Sequence, residues 1–292
     1  MSERTIAASD IRETVRETYA ARALQVTQQA TGCCEPGCCG SSAASDPITG
    51  NLYSPGEATA IPLPALQASL GCGNPTARAE LKPGETVLDL GSGGGIDVLL
   101  SAQRVGPTGF AYGLDMTDEM LALAEQNRQQ AGAKNVQFLH GQIEAIPLPD
   151  AAVDVIISNC VINLAADKGQ VLREAFRVLR PGGRFAVSDV VAQGALPDDL
   201  RADMEAWVGC VAGALEEQDY RALLAEAGFR DVAVEVTRVY DPRDLAESMD
   251  RGTACCGAPE EWGPRRRRPA ARRRRPPLHA GLRAGEEGTG LS

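Results

Sequence analysis

The sequence predicts an α/β fold, a mostly parallel sheet with helices on both faces. From Thr86 onward, short β-type runs alternate with helical segments of 9 to 15 residues, and alternation on that scale implies parallel strands joined by crossover helices. At residues 87–95 the run VLDLGSGGG reads as a strand that ends in a glycine turn. The chain has 292 residues, 43% of them apolar and 23% charged, enough to bury a core in one large or two modest domains without covalent staples.

The first element is a helix. Asp10 and Glu13 have the spacing of a capping box, and Ile11, Val15, Tyr19 and Ala23 follow on one face. A stretch rich in Gly, Ser and Pro runs from about Thr31 to Pro64 and contains GCCEPGCCG, with Cys33, Cys34, Cys38 and Cys39. Residues 1–64 are therefore expected to form a helix followed by a cysteine-rich arm. TVLDL, FAYGLD, VQFLHG, VDVIISN and GRFAVSDV read as strands, and IDVLLSAQR, DEMLALAEQNRQQAG and KGQVLREAFRVL as the helices among them. A helical insertion is predicted at about 197–228 and a last strand pair around VAVEVTRVYD, which closes a domain spanning 65–245. Residues 246–292 are low in complexity, built from Arg, Pro, Gly and Ala, and are expected to lack order, and removal of residues 251–292 should leave activity largely intact.

Charge divides the chain. Residues 251–292 carry a net +6 and residues 1–250 a net −16, and so acidic a body argues against a nucleic-acid partner. The opening residues mix both signs of charge, and no apolar run approaches the ~18 residues of a membrane span. The expectation is a cytoplasmic protein with no membrane partner, a monomer being favoured. Nine cysteines in that compartment point to reduced thiols for ligand binding or redox work rather than to structural disulfides.

The glycine loop marks a nucleoside site. Gly91, Gly93 and Gly95 permit a tight turn and close backbone approach to a ligand above the strand end. The next strand ends in Asp115, where a carboxylate can take both hydroxyls of a ribose. A dinucleotide fingerprint would need glycine where Ile96 stands. In open parallel sheets ligands lie outside the carboxyl ends of the strands, so Asn159 and Cys160, at the end of VDVIISN, face the reactive end of the bound cofactor. Cys72 in SLGCGNP, a Gly-bracketed turn, and Cys210 in WVGCVAG, on the predicted helical insertion, stand in similarly distinctive settings. His140, on the third predicted strand, is read as structural rather than as a base.

The loop from Asp89 to Gly95, of the form D-x-G-x-G-x-G, resembles class I S-adenosylmethionine-dependent methyltransferases, a Rossmann-like fold. That resemblance implies S-adenosylmethionine as cofactor, with Asp89, Gly91, Gly93 and Gly95 in its loop, Asp115 on the ribose and Met116 beside the adenine. Gln142, Ile143 and Glu144 form the covering loop, Gln142 standing where many relatives carry Asp. More specifically, SLGCGNP, VLDLGSGGGIDVLLSA, SNCVINL, VLRPGGRF and WVGCVAGAL together resemble the arsenite S-adenosylmethionine methyltransferases across roughly residues 50–240. The resemblance implies arsenite, or its thiol conjugates, as substrate. It makes Cys72, Cys160 and Cys210 the arsenic ligands, with one or more of Cys33, Cys34, Cys38 and Cys39 as an N-terminal thiol partner. Trivalent arsenic is thiophilic and binds thiolates. Methyl transfer leaves it pentavalent, so a thiol reductant, glutathione or a thioredoxin-type dithiol, must restore it.

Two alternatives stay open. One is a methyltransferase of a small organic acceptor, which would tolerate serine at Cys160 and Cys210. The other is a metalloid- or zinc-binding protein that sequesters its ligand, which would bind the cofactor without forming product.

Overall fold

The computed structural model describes residues 8–31, 52–194, 212–240 and 278–285. Helix α1 (Ala8–Thr31) precedes three short helices, α2 (Pro55–Ala60), α3 (Leu63–Ala68) and α4 (Pro75–Arg78). The alternating region follows as β1 (Thr86–Leu90), α5 (Ile96–Val105), β2 (Phe110–Asp115), α6 (Asp118–Gln130), β3 (Val136–His140), β4 (Val153–Asn159), α7 (Lys168–Val178) and β5 (Leu179–Ala192). Next come β6 (Leu215–Glu216), α8 (Glu217–Ala227), β7 (Arg230–Val234), β8 (Val239–Tyr240) and β9 (Leu278–Gly285).

The strand order is β3-β2-β1-β4-β5-β9-β7, with β6 on β5 and β8 on β9. The pairings among β1 to β5 are parallel, as the βαβ alternation requires. β1 lies between β2 and β4, so the chain crosses from β3 to the other side of β1 before β4 begins. That reversal opens a crevice at the carboxyl ends of β1 and β4.

Alternate residues of β1 serve the two faces of the sheet. Leu88 and Leu90 join a core with Val171, Leu172, Tyr220 and Leu224 from α7 and α8. Val87 joins Ala79 and Val105 on the opposite face. α1 packs through Ala23 and Val26 against Ala68, Met120 and Leu123 of α3 and α6. The predicted apolar face is buried there, Ile11 and Val15 being 5% and 4% exposed. The helix starts at Ala8, however, so Asp10 and Glu13 lie inside it, and Glu13 pairs with Arg16 rather than capping.

Two expectations need correction. Part of the segment expected to lack order, Leu278–Gly285, is strand β9, antiparallel to both β5 and β7. Its sequence LHAGLRAG alternates apolar residues with others at period two, a strand signal masked by the low complexity around it. Consequently β7 and β8 are not paired with each other; each pairs with β9. Of the helical insertion, α8 lies where the sequence puts its second helix, while residues 195–211 fall outside the described residues.

Candidate active site

The turn after β1 is made of bare backbone. Gly91, Gly93 and Gly95 have φ of 69°, 49° and 86°, the left-handed region where side chains are strained. A Cβ on Gly91 would collide with the Val161 side chain, and one on Gly95 would come within 2.8 Å of the Phe138 ring. Asp115, the last residue of β2, braces this loop. Its Oδ2 accepts the Gly93 N–H at 2.9 Å and its Oδ1 the Thr117 N–H at 2.9 Å.

Three buried carboxylates surround the turn. Burial pushes Asp115 up despite the N–H donors on it. Burial, followed by the charges of Asp97 and Asp115, pushes Asp89 well above the usual carboxylate range. Asp97, in the first turn of α5, rises to about 6 through burial, opposed by hydrogen bonds from Asn159 and Tyr53. Negative charges that disfavour one another in a dry site are relieved by a cation.

Two adjoining cavities share Tyr19, Gly91 and Val161. One is lined by Asp115, Met116, Ile143 and Glu144, together with Arg12 and Val15 of α1. The other is lined by Asp89, Gly93, Asp97 and Asn159. Of the cofactor residues expected from sequence, all but two line these cavities: Gly95 stands at the start of α5, and Gln142 pairs with Ala145 in the turn after β3. His140 stands on the surface, 3.5 Å from the still more exposed Asp118, and lines neither of these two cavities.

Cys160 follows β4 at φ 59°, uncommon for a residue with a side chain, and its N–H donates to the Ser188 carbonyl at 2.7 Å. Cys72 reaches it from the GCG turn before α4. That turn requires its glycines: a Cβ on Gly71 would overlap the Asn159 side chain, and one on Gly73 would lie 2.5 Å from that of Ser188. The two cysteines are joined as a disulfide with Cα atoms 5.8 Å apart, where the sequence predicts reduced thiols. The correction follows from proximity, because two buried thiols in bonding reach close readily once oxidised. Asn159, expected to face the cofactor, lines the cavity but commits its side chain to Cys72, Gly73 and Asp97.

Cys33, Cys34, Cys38, Cys39, Cys210, Cys255 and Cys256 lie outside the described residues. Among the described residues, no group of three or more His, Cys, Asp or Glu side chains is arranged to hold a metal ion, and no helix is long and apolar enough to cross a membrane. Sequence reasoning missed Arg12, Tyr19, Tyr53 and Asp97. Asp97 had a signal, as the acidic residue directly after the glycine loop. Tyr53 had none, because its hydrogen bond to Asp97 spans 44 residues.

Residues 81–228 match a methyltransferase-domain family. The crystal structure of an arsenic(III) S-adenosylmethionine methyltransferase from Chlamydomonas reinhardtii superposes with a TM-score of 0.63 at 30% identity, covering 82% of this chain and 76% of that one. The chain belongs to the arsenite methyltransferase family. Another member of that family, the arsenite methyltransferase of Halobacterium salinarum, is 43% identical over 261 residues, 84% of this chain and 66% of that protein. The human arsenite methyltransferase is 40% identical over 152 residues, 49% of this chain and 40% of that protein. The chain therefore spans between 40% and 66% of the length of these two arsenite methyltransferases.

Proposed function

We propose that the protein transfers methyl groups from S-adenosylmethionine to trivalent arsenic held by cysteine thiolates, giving methylated arsenicals. One observation carries this reading. Cys72 and Cys160, 88 residues apart in sequence, meet beside a cavity lined by Gly71 and Asn159, the residues that precede them.

The residues present fit the cofactor. The glycine turn leaves backbone uncovered, Asp115 keeps further acceptor capacity on both oxygens for ribose hydroxyls, and the buried Asp89 and Asp97 favour a positive charge. When bound, S-adenosylmethionine supplies an electrophilic methyl group on a cationic sulfonium.

The chain's own work is to hold arsenic and aim it. As thiolates, Cys72 and Cys160 are soft ligands for a thiophilic centre, and we assign the third position to Cys210. Three sulfurs leave the arsenic lone pair opposite them, directed toward the methyl group. Orientation of that kind is worth roughly 7–11 kcal/mol, and no proton needs to move. The disulfide must first be opened by two electrons from glutathione or a thioredoxin-type dithiol. After transfer, closing it again returns two electrons to pentavalent arsenic. Cys33, Cys34, Cys38 and Cys39 are proposed as the N-terminal thiols that capture arsenic and relay electrons. The need for reduced thiols fits the cytoplasm, and the acidic body fits a partner set without nucleic acid. A monomer suffices, since one chain carries these residues.

The test is purified protein with arsenite, S-adenosylmethionine and excess glutathione, followed by chromatographic speciation of arsenic, beside Cys160→Ser. Methylated arsenic from the first and none from the second is expected. Cofactor binding without methylated arsenic would move the reading to an organic acceptor.

A further inference from the structure

We propose that Asp189 is a positioning residue for methyl transfer. Through a buried clamp with Asn163, Lys168 and Tyr220 it fixes the turn after β4, which carries Cys160 at one end and walls the cofactor cavity along the rest. The inference deepens the reading above, on which it rests for the role given to Cys160.

Asp189 stands where β5 would be expected to carry an apolar side chain. Phe185, Val187 and Val191, two or four residues apart on the same face of the strand, join the core with Leu172 and Tyr220. Asp189 shares that spacing and is fully buried. A carboxylate in such a place is costly unless it is hydrogen-bonded and its charge is countered. Both conditions are met. It accepts the Val190 N–H at 3.1 Å and the Asn163 N–H, and Tyr220 Oη donates to its Oδ2 at 3.5 Å. Burial pushes the carboxyl up to about 7, opposed first by the charge of Lys168, itself buried at the start of α7. An apolar cluster would serve the fold as well, and the step that transfers the methyl group uses none of these side chains directly.

What the cluster holds is one turn. The ladder between β4 and β5 ends at Asn159 and Ser188, and the chain leaves β4 through Cys160 at φ 59°. Beyond the ladder, three successive residues of β5 keep hold of it. The Ser188 carbonyl accepts the Cys160 N–H at 2.7 Å, the Asp189 carboxylate accepts the Asn163 N–H, and the Val190 carbonyl accepts Asn163 Nδ2 at 2.7 Å. Lys168 secures the far end by donating to the Ala165 carbonyl at 2.8 Å. Between these points Val161, Leu164, Ala165 and Ala166 line the cavity that also holds Asp115 and Met116. A shift of the turn therefore moves Cys160 and the cofactor wall together, and misplacement on the order of 1 Å can cost ~100-fold in rate.

The experiment compares the reduced full-length protein with two variants. Asp189→Asn keeps the shape and one acceptor oxygen, whereas Asp189→Leu combined with Lys168→Met exchanges both charges for apolar groups. Melting temperature reports the fold, S-adenosylhomocysteine affinity by calorimetry reports the cavity wall, and kcat against KM in the arsenic speciation assay reports the alignment of sulfur and cofactor. The double variant is expected to melt within about 4 °C of the parent or above it. It should nevertheless bind S-adenosylhomocysteine at least fivefold more weakly and lose at least tenfold in kcat at saturating substrates, with Asp189→Asn between the two in affinity. Either value within twofold of the parent, in a double variant that melts normally, would overturn the proposal and leave the cluster a matter of stability. Should the double variant fail to fold, hydrogen exchange in Asp189→Asn decides. Exchange at least tenfold faster in residues 161–166, with α5 and α6 within twofold, is expected, and quickening spread evenly over the sheet would overturn the clamp. Affinity and exchange involve no arsenic, so a parent protein that makes no methylated arsenic would discard that activity while these two readouts still judge the clamp.

Discussion

Asn159 holds Cys72 by its backbone. Its Oδ1 accepts the Cys72 N–H at 3.0 Å and the Gly73 N–H at 3.1 Å, while its Nδ2 donates to the Gly73 carbonyl at 2.8 Å and to Asp97 Oδ2 at 3.1 Å. One amide thus joins the cysteine turn, the end of β4 and the start of α5. Truncation strands several part-buried polar groups, at about 1–3 kcal/mol for a group left unsatisfied. Asn159→Ala is expected to lose at least that much in urea denaturation. A loss under ~0.5 kcal/mol, typical of an uninvolved surface position, would show that the amide does not hold the turn.

The glycine turn gives a sharper test. Gly91→Ala places a Cβ at positive φ and into Val161, so the loop must move away from the cofactor. Affinity for S-adenosylhomocysteine by calorimetry should fall by tenfold or more. Val161→Ala in the same chain should recover part of the loss, because it removes the collision and leaves the φ.

Asp97 sets a pH dependence with a defined sign. Its carboxyl is pushed up to about 6, whereas an unfolded Asp ionises near pH 3.9. Between these values the folded protein keeps a proton that the unfolded chain has lost, so stability falls as pH rises through that window, by at most about 1.4 kcal/mol per unit. Asp97→Asn should flatten the slope measured by urea denaturation. Cofactor affinity should run the other way and weaken as pH drops below about 6, where the carboxylate that favours a cation is lost. Parallel stability slopes for the two proteins would refute this assignment.

Strand β9 makes residues 278–285 part of the sheet, so the cost of losing them is expected first in stability. Leu282 is in register with Val187 of β5 on one side and Val234 of β7 on the other. A proline there removes a ladder donor from a strand paired on both edges. Leu282→Pro is expected to cost at least the roughly 1–3 kcal/mol of a ladder acceptor left unsatisfied, seen as a lower melting temperature and faster proteolysis after β5. An unchanged melting temperature would count against the pairing.

Much of the fold was legible because its signals are local. TVLDL, FAYGLD and VDVIISN are strands to the residue and VQFLHG ends one residue early, at His140, and Gly91, Gly93 and Gly95 of the turn have positive φ. What escaped notice is held by distance. Tyr53 and Asn159 owe their parts to contacts that span 44 to 106 residues, and no local pattern encodes such meetings. Tyr19 belongs to the apolar face predicted for the first helix and Arg12 to no predicted site, yet both line the cavity beside Asp115, which only the docking of α1 decides. β9 escaped for the opposite reason, since its period-two pattern was present but short and set among arginines.

The bond between Cys72 and Cys160 closes a loop of 88 residues that contains β1 to β4. Restricting a denatured chain with a loop of that size is worth roughly 4–5 kcal/mol on entropy alone. Oxidised, the cofactor-binding half is tethered; reduced for work, it gives up the tether and becomes the looser and more easily digested form. Under the proposed function, arsenic bridging the same two sulfurs would restore the closure, so that the bound ligand would itself act as the staple of the domain that holds it.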